Sequence, residues 1–131
     1  MTLKRSEARK ICMTILYQID IYSERKISFN IDKVINENTP INNDFINQIV
    51  KGVLENKEQI DSLANKYMKD WTIDKIDKIG AAIMRIAIYE LKYTETPQIV
   101  AINEAVELAK EYSDENVRKI INATLDKIIR D

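Results

Sequence analysis

Few side chains in this 131-residue chain are suited to covalent or metal chemistry. It has no histidine, so a Ser-His-Asp or Cys-His nucleophile system is excluded. A zinc cluster lacks both its imidazoles and its thiolates. The one cysteine, Cys12, cannot form an internal disulfide, which fits a reducing compartment and a cytoplasmic protein. Two glycines are too few for a phosphate-binding Walker loop or a dinucleotide fingerprint. Glu104 and Glu107 pair two carboxylates, but no cleft-forming residues surround them, and such pairs on a helix are solvated. Neither a catalytic residue nor a cofactor or metal is expected. What remains is the chemistry of binding. At about 100° per residue, with Arg5 at the origin, Ala8, Ile15 and Ile19 fall together as a buried stripe. Arg9, Lys10, Met13 and Tyr17 take a different sector, roughly 100° wide. Lys and Arg neutralise phosphates, and a ring with a free face stacks an unpaired base for about 1–3 kcal/mol. The alternative is a solvated helix face with a half-buried tyrosine whose hydroxyl reaches water.

The elements that would carry these residues are helices. Gly and Pro number two each, so long regular segments must make up most of the chain. A sheet protein of this size would need more turn residues. Apolar residues recur at three- and four-residue steps, as in Phe45, Ile46, Ile49, Val50 and Val53 and in Val117, Ile120, Ile121, Leu125 and Ile128. Breaks fall at Asn38-Thr39-Pro40, at Asn43 and Asp44, and at Asn56, which with Gln59 resembles a capping box. Further breaks fall at Thr72, at Thr96-Pro97 with Pro in the first turn, and at Asp114. These predict an all-α chain of about seven helices over 4–22, 29–37, 44–55, 57–69, 73–93, 98–112 and 115–130. One domain is expected over 1–131. No apolar run approaches the roughly 20 residues of a membrane span, and the start lacks the apolar region of a signal peptide.

The formal charge of −1 conceals a segregation. Residues 1–26 carry a net +3 and residues 116–131 a net +2, while 27–65 carry −3 and 80–115 carry −4; residues 66–79 carry +1. One basic face results if the ends meet. Trp71 reads as a core anchor at a helix junction. Tyr67 and Lys69 read as core and solvent, with a nucleic-acid surface as the alternative. Cys12 reads as a small buried hydrophobe. Arg85 reads as structural, within reach of Glu90 or Glu104, and Asn103-Glu104 as polar groups that bond neighbouring helix ends.

Several segments together resemble the NusB family. They are Arg5-x-x-Ala8-Arg9 with Leu16-Tyr17-Gln18, Phe45…Val50-x-Gly52-Val53, Ile60-Asp61, Ile83-Met84-Arg85-Ile86-Ala87-Ile88-Tyr89-Glu90-Leu91, Pro97…Val100-Ala101-Ile102-Asn103-Glu104-Ala105-Val106-Glu107-Leu108-Ala109-Lys110, and Asn122-x-x-Leu125-Asp126. The two long middle segments are the specific ones. The resemblance implies two packed helical bundles and a non-enzymatic transcription antitermination factor. Such a factor binds boxA RNA of nascent, chiefly ribosomal, transcripts together with NusE, a small-subunit ribosomal protein. The pair joins other Nus factors on RNA polymerase. Carried over by position, the resemblance implies RNA contacts at Lys4, Arg5, Arg9, Lys10 and Tyr17, at Tyr67, and at Asn116, Lys119 and Asn122. It implies a NusE surface near Asp77 and Gly80, and a monomer or homodimer.

The chain departs from the family pattern at four places. Ser6 and Glu7 interrupt the basic cluster, Ser113 replaces a usual glycine, Ile120 an aromatic, and Ala123 the glycine of an Asn-Gly pair. Weak binding alone and tighter binding beside NusE is the corresponding expectation. Two readings of another class stand beside this one. The first is a helical protein-interaction module with a basic face and no specific RNA. The second is the NusB-like domain that precedes an RNA methyltransferase in a related family, for which no methyltransferase motif follows up to Asp131.

Overall fold

The computed structural model describes residues 3–131. Among them are seven helices: α1 Arg5–Glu24, α2 Ile31–Asn38, α3 Asp44–Glu55, α4 Lys57–Tyr67, α5 Lys78–Tyr93, α6 Gln98–Tyr112 and α7 Glu115–Arg130. Four begin at the side-chain caps that their sequences offer. Asn30, Asn43, Asp77 and Asp114 accept the backbone N–H of Lys33, Ile46, Gly80 and Val117, which satisfies amides that no helical carbonyl can reach.

Helix α5 is the axis of the molecule. Every residue from Gly80 to Glu90 is buried, the charged Arg85 and Glu90 among otherwise apolar or small residues. It packs against α1 and α3 on one side and α4, α6 and α7 on the other, with α2 held against α1. The result is the two-bundle, all-α arrangement expected above, with α5 shared between the bundles. The buried side chains form one connected cluster from Ala8 to Ile128. No helix among the described residues is long and apolar enough to cross a membrane.

The segment between α4 and α5 differs from the expectation. The fifth helix starts at Lys78, not at 73. Asn65 Oδ1 takes the Ile73 amide and Thr72 donates to Asp74, so Thr72 caps nothing. Asp77 is the stronger cap because its second oxygen also takes the Ser113 hydroxyl, tying α5 to the α6–α7 turn. Trp71 is no core anchor: it is 41% exposed, and Met68, Ile73 and Ile76 fill the junction instead. Asp70, at φ 64°, turns the chain just before it.

Two other caps also differ. Asn56 closes α3, donating to the Gly52 carbonyl, and makes no cap bond to α4. Pro97 itself holds the N-cap position of α6, which frees the Thr96 hydroxyl for Glu90.

Gly52 sets the approach of α3 to α5. A Cβ at this position would lie 2.3 Å from Cζ of Tyr89. The Tyr89 ring is stacked on Tyr93 at 5.3 Å, so it cannot tilt without moving a second ring. Gly52→Ala is expected to cost about 1–3 kcal/mol, the range of overpacking, because the buried Tyr89 ring must shift and Tyr93 with it. The Gly52→Ala/Tyr89→Leu double variant should cost less than the sum of its singles in a urea melt.

Candidate nucleic-acid interface

The first helix does not present its basic residues as one surface. Arg9 is 4% exposed and Met13 3%, so the sector expected to face solvent is in part buried. The reason is that α1 is covered by α2, α3 and α5 together, which widens the buried stripe beyond Ala8, Ile15 and Ile19. Arg9 donates from Nε and Nη2 to the two oxygens of Glu90, both at 2.8 Å, and from Nη1 to Glu104 at 2.9 Å. Burial works against the guanidinium charge, but the hydrogen bonds and charges of Glu90 and then Glu104 outweigh it and raise the Arg9 pKa. Ser6 also donates to Glu104, and Thr96 to Glu90. Arg9 is therefore a core ion-pair residue with no free N–H fork to offer a phosphate, which corrects its placement among the RNA contacts.

Arg5 goes a separate way. Its guanidinium lies 4.2 Å from the centroid of the Phe45 ring, at the mouth of a cleft with Tyr93, Thr94 and Pro97. Lys10 is five residues on, about 140° around the helix, and faces α6. Its ammonium lies 5.0 Å from the Tyr112 ring centroid and 3.6 Å from Glu111. The Tyr112 hydroxyl, then the Glu111 charge, hold the Lys10 pKa above the ordinary lysine value. Tyr17, two turns beyond Lys10 on the same line of α1, is half-buried. Lys4 is exposed just ahead of α1.

The other expected residues continue from Tyr112. That ring ends α6, and α7 begins three residues later. Asn116 and Lys119, on the first turns of α7, line one groove with Tyr67 from the end of α4. Contacts thus link Lys10 to the end of α6, and one groove joins Asn116 and Lys119 to Tyr67. With Tyr17 on the Lys10 line of α1, these residues outline a strip across α1, the α6–α7 turn and α4. Tyr112 was missed in the sequence, where its place at the end of an amphipathic helix gave no sign that a lysine from α1 would cover it. Asn122 is exposed but lies about 120° around α7 from Asn116, on the flank of the strip.

The residues expected near a partner protein divide. Asp77 is exposed, with both oxygens engaged as described. Gly80 is buried, and its absent Cβ would sit 2.6 Å from a Val117 methyl. This glycine lets α7 approach α5 and offers no surface to a partner, which corrects its placement. Arg85 is structural as expected, but its partners are Asp61, at 2.8 Å from Nε, and Asp20, at 3.6 Å. Glu90 lies about 140° around α5 from Arg85 and faces Arg9 instead. Cys12 is buried, and burial, then the Glu90 charge, push its thiol far above the ordinary range, as befits an inert core cysteine.

The arrangement of α1–α3 and α4–α7 about a shared α5 defines the class: a small all-α protein of two fused helical bundles. The NusB family model matches residues 6–130, and the chain belongs to that family. A transcription antitermination protein NusB of Bacillus cereus (strain B4264) is 39% identical over 127 residues, covering 96% of this chain and 97% of that one. A protein of the same description from Bacillus anthracis (strain CDC 684 / NRRL 3495) has the same identity and coverage. A T. maritima NusB structure superposes with a TM-score of 0.86 at 26% identity, covering all of this chain and 94% of that one. The fold is also that of a complex of the antitermination factors NusB and NusE with double-stranded RNA, with a TM-score of 0.80 at 23% identity and 96% of each chain covered. These relatives are described as antitermination factors, not as enzymes.

Proposed function

We propose that this chain is a transcription antitermination factor that catalyses nothing and acts in the cytoplasm as one helical domain. It binds boxA-type single-stranded RNA of nascent ribosomal transcripts beside NusE and joins the other Nus factors on RNA polymerase. The observation that carries the proposal is the strip of alternating cations and rings. Lys10 and Lys119 lie on it with Tyr17, Tyr112 and Tyr67, and Asn116 adds an amide able to read a base edge. Phosphates meet the lysines and unstacked bases meet the rings. Lys4, exposed just ahead of α1 and about 120° around it from Lys10, is a contact to one side of the strip. Arg5, turned toward Phe45, and Asn122, on the flank of α7, are peripheral contacts. Asp77 marks the side open to the protein partner. The related complex with NusE and RNA supports this choice of partners.

A salt titration tests the reading. Affinity for a boxA-type RNA should fall linearly on a log–log plot, and Lys10→Gln should reduce the slope by about 0.7, one single-strand phosphate contact. The Lys10–Glu111 pair is exposed on both sides, so its loss should leave stability within about 0.5 kcal/mol. An unchanged slope would take Lys10 off the phosphate path.

A further inference from the structure

The groove between the end of α4 and α7 is larger than the residues assigned to it so far. Its volume is about 190 Å³, and Lys69 and Lys127 stand on its rim with Lys119. Ile120, Ala123 and the buried Thr124 also line it. Asn116, Ile120, Ala123 and Lys127 follow one another at steps of three and four, so a single face of α7 makes one wall. Lys119 and Lys127 are eight residues apart, about 12 Å along the helix, enough for more than one phosphate.

The cations differ in their partners. Lys119 lies 4.0 Å from Glu115, and Arg130 is paired with Asp126 at 3.1 Å. Among the described residues, neither Lys69 nor Lys127 has an acid in ion-pair contact. The side chain of Asp131 accepts the Tyr67 hydroxyl. Both lysines are exposed. Two cations without an acid partner, on a groove also lined by Tyr67 and Asn116, continue the strip beyond the contacts already proposed.

We infer that Lys69 and Lys127 clamp successive phosphates of a single RNA strand whose bases lie along Tyr67 and Asn116. The inference rests on the RNA-binding reading and extends it by these two residues. An acidic peptide would also meet the lysines, but the Tyr67 ring and the Asn116 amide on the same rim match an unstacked base.

The experiment compares the wild type, Lys69→Gln, Lys127→Gln, their double variant and Lys10→Gln. Each is titrated with one single-stranded RNA between about 50 and 200 mM salt. Each groove lysine should lower the slope by about 0.7, and the double variant by about 1.4, with circular dichroism unchanged. A second measurement needs no variant: bound RNA should protect Lys69 and Lys127 of the wild type from an amine-acylating reagent. A double variant with the wild-type slope, while Lys10→Gln still lowers it, would overturn the clamp and leave the RNA reading in place. Equal protection by polyglutamate would also overturn the clamp, because the groove would then recognise charge alone. A wild-type affinity without salt dependence would end both readings.

Discussion

Arg9→Ala is expected to reduce the free energy of unfolding by about 3–5 kcal/mol, the cost of leaving a buried charge without its partner. The Glu90 carboxylate, 1% exposed, would keep only the Thr96 hydroxyl on one oxygen. Domains of this size hold about 5–15 kcal/mol in total, so the loss is a large fraction of the whole. Arg9→Lys should recover little, because an ammonium cannot span both Glu90 oxygens and Glu104 as the planar fork does. Replacing the pair together, as Arg9→Met/Glu90→Leu, should cost much less than Arg9→Ala, since neither charge is then stranded. Urea melts of the three variants check the account. A stable Arg9→Ala protein with a reduced salt slope for RNA would return Arg9 to the phosphate surface.

Tyr17→Ala is expected to act on RNA and not on the fold. Loss of a stacked base costs about 1–3 kcal/mol, or roughly 5- to 150-fold in affinity. Tyr17→Phe keeps the ring and should keep most of the binding. The salt slope should not change in either variant, because a stacking ring releases no counterions. Equal affinity of Tyr17→Ala and the wild type, with melting unchanged, would assign the ring to an ordinary half-buried surface position.

Sequence periodicity predicted the helices well because burial imposes it. The stretch from Ile83 to Leu91 is apolar except for Arg85 and Glu90, and α5, which carries it, is central. Caps were readable where an Asn or Asp stood directly before an apolar run, as at Asn43 and Asp114. They were not readable where the deciding contact is distant in sequence. Thr72 and Asp77 both precede α5, and the Ser113 hydroxyl, 36 residues away in sequence, gives Asp77 the added contact. The candidate site was legible in its residue types and illegible in its partition. A helical wheel orders the residues of α1 but does not reveal how many neighbours cover it, so Arg9 and Met13 were placed outside. Tyr112 and the groove lysines come together only through the packing of α1, α4, α6 and α7, which no single segment encodes. Gly80 illustrates the same limit: the family resemblance implied a partner surface there, and the Val117 methyl explains the missing side chain.

The segregated charge acquires a spatial meaning from this packing. Lys10 from the beginning of the chain, Lys69 from its middle, and Lys119 and Lys127 from its end border the strip, so a net charge of −1 coexists with a cationic path. Long-range attraction from the whole protein is correspondingly weak, and specificity must come from local contacts and from a second protein.

The most direct test of the central claim is a titration of one boxA-type RNA and a scrambled RNA of equal length and composition, at fixed salt, with NusE present and absent. The account predicts weak binding of both RNAs by the chain alone. It predicts binding with NusE that is at least about tenfold tighter for the boxA-type RNA, a difference of about 1.4 kcal/mol. Equal binding of the two RNAs in the presence of NusE would contradict it and leave a helical interaction module with a basic strip.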